Sequence, residues 1–66
     1  MNLGKSLKIA IATKEIKTKD LADGLLVSRQ QVSNWKRTGS ISSSRLVDIC
    51  KYFDMEVSEF IALGEG

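Results

Sequence analysis

The chain encodes five short helices packed as one compact all-α domain, and three features of the sequence say so. Apolar side chains recur three and four residues apart in five successive segments. Serine or threonine starts and glycine stops stand at several of the boundaries of those segments. No stretch alternates polar with apolar residues as a half-buried strand would, and no repeat, linker or low-complexity tract divides residues 1–66.

The first helix is marked by Leu3, Leu7, Ala10 and Ile11, with Lys5 and Lys8 outside the stripe. Thr18 is expected to begin a short second helix, with Asp20 favourably placed in its first turn and Leu21, Ala22 and Leu25 as its buried face. Gly24 weakens its interior. The third helix carries two start signals that agree. Ser28 followed by Gln31 forms a capping box, and Val27 and Val32 occupy the two staple positions around it. After RTGS breaks this helix, SSSRLVDICKYF supplies a serine cap and a stripe of Leu46, Ile49, Cys50 and Phe53, ending at Asp54 and Met55. In VSEFIALG a fifth helix caps at Ser58 or slightly earlier, buries Val57, Phe60 and Ile61, and stops at Gly64.

Composition narrows the function. At 66 residues, 42% hydrophobic and 27% charged, the chain is of ordinary globular make-up but short enough for only a thin core. No apolar run is long enough for a membrane span, and lysines interrupt the apolar positions near the start, so a signal peptide is not expected and the location read is cytoplasmic. Cys50 is the single cysteine and there is no histidine, which removes an intramolecular disulfide and argues against zinc. No paired acids or phosphate loop accompany them. The expectation is a protein that is not an enzyme, with no metal, no cofactor and no small-molecule effector. The net charge of +2 is unevenly spread. Through residue 37, eight Lys/Arg face three Asp/Glu; from residue 38, two face five. Either this is scatter in a short chain or a basic binding face is backed by an acidic rear.

The third helix favours the binding face. At about 100° per residue, Val32 and Trp35 share a sector of roughly 60°, while Gln30, Ser33, Asn34 and Arg37 cluster opposite. With Trp35 turned inward, amides and cations turn outward. Asn and Gln can pair with the N6/N7 edge of adenine, and Arg can fork onto guanine, so the surface suits the major groove of duplex DNA. A plain solvated face is the alternative. Such faces carry Glu–Lys pairs, however, and no acid occurs between Arg29 and Arg37, where it would repel phosphate.

The segment TKDLADGLLVSRQQVSNWKR resembles the helix-turn-helix of the Cro/repressor (Xre-like) family of phage and bacterial regulators. Leu21, Ala22, Val27, Ser28, Val32, Ser33 and Trp35 match its pattern, and LVDICKYFDMEVSEFI is similar to that family's fourth helix and the start of its fifth. The resemblance implies a lambda-repressor-like DNA-binding fold and a Cro-like repressor of transcription that binds a double-stranded operator as a homodimer. It implies that Arg29, Gln30, Gln31 and Asn34 stand at base edges, with Ser33 on the same face; Gln31 either reads or completes the capping box. Thr18, with Lys19 beside it, matches a phosphate-touching helix start. Ser28, Lys36, Arg37, Ser42, Ser43, Ser44 and Arg45 complete the expected backbone contacts, the serines of residues 42–44 either holding phosphate or only capping. Arg37 is read as an anchor that acts on all sequences alike. Ile61 and Leu63 either contact a second copy or finish the core.

Three departures from the family pattern stand out. Leu26 replaces the usual turn glycine, so the backbone there adopts a compatible conformation at some cost or turns differently. Lys36 and Ile11 stand where a Glu–Arg strut between helices one and three is common, so both partners of that bridge are gone. The C-terminal segment favours an all-helical branch over one ending in a β-sheet. The competing functional class is a protein-interaction module, such as an antitoxin or antirepressor, using the same helices to hold a protein.

Overall fold

The computed structural model describes residues 2–65; Met1 and Gly66, the ends of the expected domain, lie outside them. Five helices follow one another with no strand among the described residues: α1 (Leu3–Thr13), α2 (Thr18–Leu25), α3 (Arg29–Thr38), α4 (Ser43–Phe53) and α5 (Val57–Leu63). None is long and apolar enough to cross a membrane.

One hydrophobic cluster holds them. Leu7 and Ala10 of α1, Leu21, Ala22 and Leu25 of α2, Val32 and Trp35 of α3, Ile49, Cys50 and Phe53 of α4 and Phe60 of α5 are all buried in it. These are the apolar positions that the three- and four-residue spacing marks, and burying them is what offsets the entropy of ordering so short a chain. Leu3, Ile11, Val27, Leu46, Val57 and Leu63 pack around the cluster half-buried. Leu63 thus packs against the core with part of its surface open. Ile61 is half-buried without joining the cluster. Burial also pushes the Cys50 thiol above its ordinary range.

The helix starts fall where the sequence places them. α2 begins at Thr18, with its cap one residue earlier. That position belongs to Lys17, whose N–H donates to Asp20 Oδ2 at 3.3 Å, the Asp20 carboxylate doing the satisfying from within the first turn. Ser28 Oγ does accept from the Gln31 N–H at 3.1 Å, but the reciprocal bond from the Gln31 side chain is absent among the described residues. Half of the capping box forms, and the Gln31 amide stays available. Ser42 caps α4 as expected, accepting from Arg45 N–H at 3.4 Å. The cap of α5 is Glu56, two residues ahead of Ser58, and its N–H donates to Glu59 Oε1 at 3.4 Å.

Two glycines set how closely helices approach. A Cβ on Gly4 would stand 2.6 Å from the Lys36 carbonyl oxygen, so α1 lies almost backbone to backbone on α3. A Cβ on Gly24 would fall into the Tyr52 ring, which makes this glycine a packing site for α4 in addition to a weak spot in α2. Ser6, fully buried one turn along α1, donates from Oγ to the Ile61 carbonyl oxygen at 3.4 Å and ties α1 to α5.

Candidate nucleic-acid interface

The link between α2 and α3 is three residues long and is closed by the backbone. Leu26 takes the left-handed conformation at φ 58°, ψ 41°, and the Val27 N–H reaches back to the Ala22 carbonyl oxygen at 3.0 Å. The turn thus keeps the shape that a glycine would adopt without cost, and does so with a leucine whose side chain is 91% exposed. Val27 then packs inward and Ser28 caps α3, so two short helices meet through a tight turn.

Trp35 decides what α3 shows to solvent. At 2% exposure it lies against the core with Val32, which is fully buried. The opposite side carries exposed Gln30, Ser33 and Arg37 with half-buried Asn34, and exposed Arg29 and Gln31 stand on its two flanks. Every side chain of this face can donate a hydrogen bond and none is acidic. α3 ends where Gly39, at φ 71°, donates its N–H to the Trp35 carbonyl oxygen at 2.8 Å.

Two side-chain bonds organise the surroundings. Lys36 Nζ donates to Thr18 Oγ1 at 2.9 Å, which fastens the first residue of α2 to the C-terminal half of α3. This bond ties α3 to α2 in a molecule where Lys36 and Ile11 cannot bridge α3 to α1. It uses one of three ammonium hydrogens, and it carries a full positive charge to the start of α2, beside exposed Lys17 and Lys19. The second bond runs along the outward face. Arg37 Nη2 donates to Asn34 Oδ1 at 3.0 Å. Neither pairing was foreseen from the sequence, although Asn34 and Arg37, three apart on a helix, are at a spacing where side chains meet.

Beyond α3, four residues lead into α4. Ser42, Ser43 and Ser44 are exposed at its start, the Ser42 and Ser44 hydroxyls 3.5 Å apart, and Arg45 lies 4.0 Å from Asp48 in an open pair, the only ion pair among the described residues. The structure brings Thr18 together with Lys36 and Asn34 with Arg37. It leaves Arg29, Gln30 and Ser33 without a side-chain partner among the described residues.

Away from this face, Leu26, Val47 and Tyr52 are the large apolar side chains most open to solvent. Leu26 and Tyr52 border a groove between α2 and α4, which Gly24, Leu25, Asp48 and Lys51 also line.

Comparisons with curated proteins and with solved structures return no match. The family model for the Cro/C1-type helix-turn-helix DNA-binding domain does match, over residues 6–64. With two helices joined by a tight turn, a tryptophan-anchored third helix and nearly the whole chain covered, the protein belongs to the Cro/C1-type helix-turn-helix DNA-binding family.

Proposed function

We propose that the chain is a Cro-like repressor that recognises its operator through the exposed face of α3. The observation that supports this most strongly is the composition of that face once Trp35 is buried: amides, a hydroxyl and guanidinium groups, with no carboxylate. Arg29, Gln30, Gln31, Ser33 and Asn34 are the base-reading set. Gln31 belongs to it because its side chain takes no part in the cap of α3.

Backbone anchoring falls to the flanks. Lys19 and Thr18 at the start of α2, Lys36 bonded to that threonine, Ser28 at the cap of α3 and Arg37 near its end face one strand in this reading. Ser42, Ser43, Ser44 and Arg45 at the start of α4 hold the other edge, where first-turn amides suit an anion. The exposed Arg45–Asp48 pair is no obstacle, because an open ion pair at 4.0 Å is worth little and exchanges readily for a phosphate.

One such unit covers only a few base pairs, so the working form is a homodimer on two half-sites about ten base pairs apart, centre to centre. Ile61 and Leu63, both half-buried, are the candidates from α5 for the contact. The place of action is the bacterial cytoplasm, on DNA. Selection from a random duplex pool tests the reading: an enriched motif with two related halves is expected, and a pool that enriches nothing would overturn it.

A second reading has its own support. The exposed Leu26, the half-exposed Tyr52 and the groove between them favour a protein contact of the antitoxin or antirepressor kind on the α2–α4 side.

A further inference from the structure

Asn34 stands half-buried at the edge of the outward face of α3, and its side-chain oxygen is engaged by a neighbour. Arg37 Nη2 lies 3.0 Å from Asn34 Oδ1, one helical turn along. The assignment of oxygen and nitrogen is forced by chemistry: a guanidinium has five N–H donors and no acceptor, so only the amide oxygen can face it. The amide nitrogen then points away with both hydrogens unspent. At the same time Thr38 Oγ1 donates to the Asn34 main-chain carbonyl oxygen at 2.8 Å, so the side-chain oxygen has no competitor for Arg37 within that turn.

We infer that Arg37 is a positioning residue that turns Asn34 from an adenine reader into a donor-only reader of guanine. An unrestrained asparagine recognises adenine by accepting from N6–H through Oδ1 while donating to N7 through Nδ2. Here a base N6–H would have to share Oδ1 with a cation already bonded to it, and would approach a centre of positive charge with its own positive hydrogen. The O6 and N7 atoms of guanine are both acceptors. They meet the two Nδ2 hydrogens without that conflict, and the nearby guanidinium charge favours them further. Arg37 keeps four N–H donors for a phosphate, so backbone anchoring and base choice are linked in one side chain. The sequence alone gives Arg37 a role blind to base identity; the bond gives it one that is not.

This inference rests on the proposal that α3 reads duplex DNA, and three proteins separate the two. The full chain, Asn34→Ala and Arg37→Met are each carried through selection from a random duplex pool, with relative affinities then measured on the enriched site and its single-base variants. Arg37→Met keeps an unbranched side chain of similar helix propensity while removing every donor. Asn34→Ala identifies the base pair concerned, as the one position where preference flattens. At that position the unaltered chain is expected to favour guanine over adenine by about tenfold. Arg37→Met is expected to weaken binding to all sequences and, at that position alone, to abolish or reverse the preference toward adenine. A motif whose guanine preference survives Arg37→Met intact overturns the inference and leaves DNA reading standing. So does a motif in which Asn34→Ala flattens no position, or one in which the unaltered chain already selects adenine there. A pool that enriches no motif with the unaltered chain overturns both.

Discussion

Leu26 holds a conformation that its side chain resists. With φ at 58° its Cβ is crowded against the following carbonyl, which costs an L-residue other than glycine about 1–2 kcal/mol. The side chain offsets none of this, since the residue is 91% exposed and joins no core contact. Replacement by glycine removes the crowding and adds about 0.5–1 kcal/mol of unfolded-state entropy against folding. Leu26→Gly is therefore expected to stabilise the domain by roughly 0.5–1 kcal/mol. The check is a urea unfolding curve whose midpoint rises with its slope unchanged; a lower midpoint would mean that the exposed leucine contributes something the turn geometry does not show. From the sequence this residue is legible as a departure from the usual glycine, but the choice between keeping the turn and abandoning it is not. The Val27 N–H to Ala22 carbonyl bond decides it, because only the left-handed turn lets that bond close.

Among the elements, periodicity predicts which face of each helix is buried and says little about how near two helices come. The stripes of α1, α2, α3 and α4 are in the core as their spacing requires. Gly4 and Ser6 are buried too, and neither would be taken for a core residue from its hydropathy. They are there because α1 presses on α3 and α5 so closely that only a hydrogen or a hydroxyl fits. Gly64 illustrates the same limit. It ends α5 as expected, yet with a right-handed φ of −83°, and its lack of a Cβ matters because Asn2 and Ser6 lie where one would be. The outward face of α3 was legible because Trp35 fixes its direction. The pairings of Lys36 with Thr18 and Arg37 with Asn34 were not, since they depend on rotamers and on the docking of α2. Gly4→Ala tests the close crossing by the sign of its effect. In an open helix interior this change stabilises by about 1 kcal/mol. Here the added Cβ meets the Lys36 carbonyl oxygen at 2.6 Å, a backbone atom that cannot swing aside. A loss of about 1–3 kcal/mol is expected on chemical unfolding, as for other overpacked sites. A gain would show that α1 and α3 lie farther apart than described.

At the scale of the molecule, the charges sort by the two ends of the chain. The basic excess lies in α1 and α3, whose Lys5, Lys8, Arg29, Lys36 and Arg37 have no acid among them, while Asp54, Glu56, Glu59 and Glu65 follow one another after α4, so the face that carries the amides is also the one toward which a polyanion is drawn. Four cations stand in the proposed anchoring positions: Lys19, Lys36, Arg37 and Arg45. If each neutralises one phosphate, the logarithm of the binding constant should fall with the logarithm of salt concentration at a slope near −3.5 per protomer, and about twice that for a dimer. Affinity would then drop by about 10²-fold per protomer between 50 and 200 mM salt. Fluorescence anisotropy of a labelled duplex across that range measures the slope, and Lys19→Met should make it shallower by about one unit per protomer without altering base preference. The groove beside Leu26 and Tyr52 predicts the opposite behaviour. An apolar contact there would be nearly indifferent to salt, because screening acts on charges and leaves buried hydrocarbon unaffected. A steep slope assigns the function to the α3 face. A flat one, with a partner captured at all salt concentrations, would move it to α2 and α4 and leave the cations of α3 as solvating groups.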